Sequence, residues 1–307
     1  MAFGAPGMPP RWTRGAKDAV GTAYAAASRL WFTLAQGTLT EIYFPSVGRP
    51  QVRDLQYLFT DGATFFLGER RDCDSRAEAM TPHALGFRVT SEDRQGRFRC
   101  HKEILADPHL SCLLMHTQVE VEPRFGRSLR VFALCAPHLD GIGWHNTAQV
   151  VEMAGRKLLL AHRNSIWMAI GATVPLRHAS AGYVGASDGW TDIAAHLRPT
   201  LEFDCAPDGN VALVAELELN PNNSHGAGHR NHTFTLGLAF GFSQQAAVNT
   251  LLQSLAQPFE AARDRFVEQW ERAAAHCRPL QAQAQDGGAL YHRSVSLLLA
   301  HEDKTYP

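Results

Sequence analysis

The chain lacks most of the features by which a sequence announces its chemistry. No apolar run approaches the ~20 residues that cross a bilayer as a helix. Neither sign of charge is in excess. Basic residues number 29 and acidic ones 30, for a net charge of −1, so the sequence carries no electrostatic footprint for nucleic acid or for an anionic membrane. The six cysteines (Cys73, Cys100, Cys112, Cys135, Cys205, Cys277) form no C-x-x-C pair. In a chain of 307 residues such scattered cysteines read as reduced thiols, not as a disulfide framework. There is no Gly-rich phosphate loop. The first ten residues contain no basic-then-apolar leader, which predicts a cytoplasmic protein unless a leader has been removed. No cofactor is expected.

What is present is strand texture. Residues 1–20 are Gly/Pro-rich and read as extended. Leu30–Leu34, Leu39–Phe44 and Leu55–Phe59 are short runs of aromatic and branched residues, punctuated by Gly37, Pro45, Pro50 and Asp61-Gly62. Phe87–Thr90 and Phe98–His101 flank a polar turn at Asp93–Gly96. Val150–Met153 and Lys157–Ala161 flank Ala154–Arg156, and Ile166–Ile170 follows across His162–Ser165. Ser111–Glu122, Leu129–Cys135, Val211–Leu219 and Thr233–Phe240 are further strands. Closely spaced turns with no helical period before about residue 243 predict an all-β antiparallel sandwich of two large sheets.

Near Ser243 the period changes. Ser243 reads as an N-cap for a helix over Gln244–Leu255. Pro258 opens a second helix over Phe259–Cys277, with an apolar stripe of Phe259, Ala262, Phe266, Trp270, Ala273 and Cys277. Residues Gln281–Gly288 read as a polar linker and Leu290–Asp303 as a third helix. Three successive leucines, Leu297 to Leu299, need cover, and little sequence follows them; this predicts a further domain beyond Pro307. The expected division is a sandwich over 1–242, a helical linker over 243–289 and the start of another domain over 290–307.

Candidate chemistry is sparse. With 15 histidines a metal site is worth testing, and His109, Cys112 and His116 have ligand-like spacing. Strand alternation puts Cys112 and His116 on one face and His109 on the other, so no metal site is expected. His225, His229 and His232 fall in the loop around Asn220–Arg230 and read as solvated; the sequons at Asn222 and Asn231 signify nothing without secretion. Arg53-Asp54 reads as a structural ion pair at a domain edge. Asp188, before Gly189, reads as a turn residue bonding its own backbone, ahead of Trp190 and Asp192. Among the tryptophans, Trp31 and Trp167 lie inside strands and read as core, and Trp12 is a further candidate for stacking on a sugar ring. Trp144 and Trp190, beside Gly-rich turns, are the better candidates for an exposed sugar-stacking face.

Three stretches carry a resemblance: Trp12–Thr22, Leu30–Pro45 continuing to Arg53–Leu55, and Val184–Asp192. Together they resemble the N-terminal domain of bacterial and archaeal glycoside hydrolase family 15 enzymes, of the glucoamylase and glucodextranase type. The resemblance implies a super-β-sandwich similar to the galactose-mutarotase fold, then a helical linker, then the first helix of an (α/α)6 barrel. It implies an inverting exo-hydrolase of α-glucans, in which one glutamate acts as acid and another as base. Those glutamates belong to the barrel and match no position here, so no catalytic residue is assigned. The implied partners are the (α/α)6 catalytic domain of the same polypeptide and an α-glucan. Tyr43, Arg53, Asp54, Trp144 and Trp190 are the expected substrate-facing or domain-interface residues. Two other readings stay open. One is a free-standing carbohydrate-binding module. The other is an aldose-epimerase-like enzyme, which needs Glu41 to meet His101 or His116 on one concave sheet.

Overall fold

A computed structural model of the chain describes residues 1–125, 129–219, 230–278, 280, 283–301 and 304. Its strands are β1 (Ala19–Thr22), β2 (Trp31–Ala35), β3 (Thr38–Tyr43), β4 (Pro50–Thr60), β5 (Phe66–Gly68), β6 (Cys73–Ala79), β7 (Phe87–Asp93), β8 (Phe98–Ala106) and β9 (Cys112–Val121). They continue with β10 (Arg130–Pro137), β11 (Asn146–Met153), β12 (Arg156–Arg163), β13 (Ile166–Ala172), β14 (Leu176–Tyr183), β15 (Cys205–Gly209), β16 (Val211–Leu217) and β17 (Arg230–Gly241). The helices are α1 (Glu69–Asp72), α2 (Gly189–His196), α3 (Gln244–Ala256), α4 (Phe259–Ala275) and α5 (Ala289–Ala300).

The expected two-sheet antiparallel sandwich forms. Sheet A runs β1-β2-β3-β4-β10-β16-β14, with β5 also on β4; sheet B runs β15-β11-β12-β13-β17-β9-β8-β7-β6. Period-two alternation aims Leu55, Tyr57 and Phe59 of sheet A at Met115, Thr117, Val119 and Phe234 of sheet B, all inside one core. Tyr57 packs edge-on to Phe234 with ring centroids 5.9 Å apart, and its hydroxyl meets Thr117 Oγ1 at 2.8 Å. Four cysteines are buried and all six are free thiols.

An ion pair lies buried in this core. Lys102 of β8 is 2 % exposed and points between the sheets. Its ammonium donates to the Gly37 carbonyl at 2.6 Å and to Glu69 of α1, itself 1 % exposed. Glu69 also accepts from Ser91 Oγ at 2.9 Å and from the Tyr57 amide at 3.1 Å, so both members of the pair are hydrogen-bonded beyond one another. Gly37 has φ +74°, and a Cβ there would stand 2.3 Å from the Ser75 side chain; only glycine brings that carbonyl to the ammonium.

Helices occupy the outer faces. On sheet A, α2 covers Leu58, Phe132, Leu134 and Val214. The sequence reading had a turn here and no helix before residue 243. Asp188 caps the helix instead: its carboxylate accepts from the amides of Thr191 (3.1 Å) and Gly185 (2.6 Å). On sheet B, α3 lies over β13 and β17, capped as expected by Ser243 accepting from the Ala246 amide. Gly171 and Gly237 are register partners beneath it, and a Cβ on either would press within 3 Å of Leu158 or Leu251. Helix α4 begins at Phe259, with Pro258 as its cap residue. Its stripe of Phe259, Ala262, Phe266, Trp270 and Ala273 is buried, as the periodicity required, whereas Cys277 is half-buried. Trp31 donates to the Ala300 carbonyl at 2.7 Å, which ties α5 to β2. Leu298 remains 76 % exposed while Leu297 and Leu299 pack inward.

Two other sequence readings meet the structure here. His232 is not in a solvated loop; it lies in β17 and is 9 % exposed, on the core-facing parity of Phe234 and Leu236. His225, His229 and Asn222 lie outside the described residues. Cys112 and His116 do share the outer face of β9, and His109 lies in the preceding turn.

The buried pair makes a test. Removing one member strands the other charge, which costs about 3–5 kcal/mol. Lys102→Met is expected to destabilise by that amount in urea denaturation. Adding Glu69→Gln should restore a substantial part of the loss. An additive double variant would mean that the two charges act independently.

Candidate functional site

The expected interface residues centre on the β3–β4 pairing. Ile42 of β3 enters the core, and alternation turns its neighbours Glu41 and Tyr43 to the outer face of sheet A. Glu41 is 8 % exposed. Its carboxylate accepts from Thr13 Oγ1 at 2.5 Å and from Thr33 Oγ1 at 3.0 Å, and lies 2.5 Å from Lys17 Nζ. Lys17 also donates to Thr13 Oγ1 (2.9 Å) and to the Arg14 carbonyl (2.8 Å). The segment around Thr13–Lys17 thus folds over β3 and is held there by one acid. Burial alone would push the Glu41 carboxyl up, but the bonds from Lys17 and Thr13 outweigh it and hold the group below its ordinary range. Burial, and then the Glu41 charge, lift the Tyr43 phenol.

Beside them, Arg53 and Asp54 of β4 form an ion pair at 3.2 Å, with Asp54 4 % exposed. Next comes His138, just after β10 and fully buried. Trp12 stands edge-on to its ring, centroids 4.8 Å apart, and is itself 40 % exposed. A Cβ on Gly143 would lie 2.2 Å from Pro10 and 2.8 Å from His138 Nε2, so glycine is what lets the Pro10–Trp12 segment lie over the histidine. Burial pushes the His138 imidazole down to about 4, and the nearby Arg53 charge adds to the effect; the Asn210 side chain opposes it without reversing it. Neither ring nitrogen has a hydrogen bond of ordinary geometry to hold a proton in place.

Tyr43, Arg53 and Asp54 therefore share one neighbourhood, together with Trp12, Thr13, Lys17, Glu41 and His138. Trp144 sits half-buried in the loop after His138, where its carbonyl accepts from Asn146 Nδ2 at 3.3 Å. Trp190 is elsewhere, in the first turn of α2. Its ring packs edge-on to Phe66 at 5.1 Å, lies against Gly68, and has the Arg71 guanidinium 5.0 Å from its centroid. The structure does not unite Glu41 with His101 or His116. Glu41 belongs to sheet A and is engaged by Lys17, whereas both histidines lie on sheet B. Lys17 and His138 were not singled out from sequence. Lys17 sits inside a stretch noted for its resemblance, but nothing in the local pattern around Pro137-His138 signals a buried imidazole.

Chemically, the carboxylates and cations here are mutually satisfied, which suits orientation and docking more than proton transfer. One indole edge is left partly open. The buried imidazole makes a prediction about pH. Its folded pKa lies below the unfolded value of ~6.5, so the unfolded chain binds the extra proton first. Stability contributed by neutral His138 is full above about pH 6.5 and is lost as pH falls towards about 4, on the order of 2–3 kcal/mol in total. Denaturation midpoints of the wild type and His138→Gln, taken from pH 7 to pH 4, should converge as the pH drops. A gap that stays constant would show that folding leaves the His138 pKa unshifted.

A family model described as glucodextranase, domain N, matches residues 2–274. The chain is 29 % identical over 304 residues to a glucoamylase of Clostridium sp. (strain G0005), covering 99 % of this chain and 42 % of that protein. It superposes with a TM-score of 0.91 on a bacterial glucoamylase solved in complex with acarbose, at 28 % identity, covering 99 % of this chain and 43 % of the other. A family 92 glycosyl hydrolase aligns over 91 % of this chain and 38 % of its own with a TM-score of 0.55 at 10 % identity, which is a likeness of fold alone. The chain thus spans less than half the length of the glucoamylases that it matches.

Proposed function

The chain belongs to the glucodextranase domain N family, and from that premise we propose that it is the accessory β-sandwich of an α-glucan exo-hydrolase of the glucoamylase or glucodextranase type. Its partner is an (α/α)6 catalytic domain in the same polypeptide, which supplies the acid and base glutamates of an inverting hydrolysis. Residues 1–242 form the sandwich, 243–289 the helical connection, and 290–307 the beginning of the catalytic domain.

The observation that carries this reading is the coverage. Almost all of this chain aligns with less than half of each glucoamylase, so the rest of those proteins holds what this chain does not supply. The geometry agrees in kind. Tyr43, Arg53, Asp54 and Trp12 form a pre-ordered, ion-paired surface on sheet A, suited to docking a domain and framing the substrate entrance. The Trp31–Ala300 bond ties α5 to the same sheet, so whatever follows α5 starts from a fixed point.

The chain alone is expected to release no glucose from maltoheptaose or isomaltotriose. Robust release would overturn the accessory reading. Grafted in place of the matching segment of the Clostridium glucoamylase, it is expected to give an active chimera. In that chimera Arg53→Ala should raise KM or lower the melting temperature while leaving kcat within about twofold. A chimera that folds but hydrolyses nothing would count against domain docking through this surface.

A further inference from the structure

Outside the Tyr43–His138 neighbourhood, the outer face of sheet B holds an open trough of about 870 Å3. Helix α3 covers the part of that face made by β13, β17 and the start of β9; the part made by β6, β7, β8 and the rest of β9 lies outside it. Register builds the floor of the trough. Thr90, His101 and Gln118 are successive cross-strand neighbours in a central row, and Arg88, Glu103 and His116 form the next. Thr90 Oγ1 lies 3.1 Å from His101 Nδ1.

The charges in this trough are already spent on one another. Arg88 meets Glu103 at 2.8 Å, Arg99 meets Glu92 at 2.6 Å, and Arg263 of α4 reaches Glu103 at 3.4 Å. Such pairs hold long side chains still and leave little net field to attract an ion. Between them stand the Gln118 amide, the Thr90 hydroxyl and the imidazoles of His101 and His116, groups that donate and accept; His101 Nε2 lies 3.8 Å from Glu120 Oε2. His116 is locked in orientation, with Nδ1 2.9 Å from Thr235 Oγ1 and its ring stacked on Phe259 at 4.6 Å and 11°. The same ring also lines a second cavity of about 330 Å3 beneath the α3–α4 turn, so the two concavities meet there. Burial pushes the His116 imidazole down, which favours its neutral form at pH 7.

We infer that this trough is a binding site for a neutral, polyhydroxylated ligand, seated across Thr90, His101 and Gln118 with His116 at its inner end. Hydroxyl groups both donate and accept, which matches a floor of mixed, rigidly placed donors and acceptors and gains nothing from net charge. That the ligand is an α-glucan oligosaccharide rests on the function proposed above. The site is separate from the sheet-A surface assigned to domain docking, so an intact enzyme would hold glucan on its sandwich as well as in its catalytic domain.

The test is a titration of the 307-residue chain with maltoheptaose, followed by backbone amide NMR. Saturable shifts confined to β7–β9 and the start of α4 are expected. The double variant His101→Ala with Gln118→Ala should weaken binding about tenfold or more with an unchanged melting temperature. The near-isosteric Gln118→Leu should weaken it in the same direction and guards against misfolding of the double variant. Shifts clustered at Trp12, Tyr43 and Arg53 would move the binding site to sheet A and overturn the assignment. No saturable shift would overturn it too, and with an active chimera the accessory reading would survive alone. A stronger response to inositol hexaphosphate than to maltoheptaose would overturn the neutral-ligand chemistry.

Discussion

The sandwich depends on a charge it cannot expose. Lys102 enters the space between the sheets on β8, where the pleat gives it no route back to water. An unpaired ammonium there would be intolerable, so its partners have fixed places: the Gly37 carbonyl at the β2–β3 hairpin and the Glu69 carboxylate on α1. Glu69 in turn fixes the Tyr57 amide of β4 and the Ser91 hydroxyl of β7. One ammonium therefore sets the spacing of both sheets at one end of the core. Hydrophobic burial supplies most of the stability, but it is non-directional; the pair contributes register.

The outer faces follow from the same pleat. Strand β9 shows this most clearly. Its inward residues Met115, Thr117 and Val119 fill the core. Of its outward residues, Cys112 and Leu114 lie in the part of the face that α3 covers, whereas His116, Gln118 and Glu120 face the trough side. What changes along the strand is the cover, and the cover is set by the Gly171–Gly237 pair that lets α3 approach. On sheet A the cover comes from α2 at one end and from the Trp12–Lys17 segment at the other. The two faces thus reach opposite outcomes: a closed, ion-paired surface and an open polar trough.

Much of this was legible in the sequence. The strand runs, the hairpin turns and the switch of period at Ser243 were enough for the all-β class, because each is a local signal with a local physical cause. The apolar stripe of α4 was legible for the same reason: spacing of three and four residues has one burial solution. Helix α2 was missed because eight residues beginning Gly189-Trp190 look like a turn when the cap at Asp188 is read alone. His232 was misread because its sequence neighbours are polar, while its burial comes from the sheet across the core.

The sequence by itself determined the fold class, the helices that follow Ser243 and, through three resembling stretches, the family. It could place Arg53 next to Asp54 because they are adjacent in the chain. Only the tertiary structure decided that Trp12 and His138, 126 positions apart, would share a wall, and that His101, Gln118 and His116 would line one trough. The reason is physical. Cross-strand neighbours are chosen by register, and register is a property of the whole sheet and its buried contacts, so no local pattern carries it.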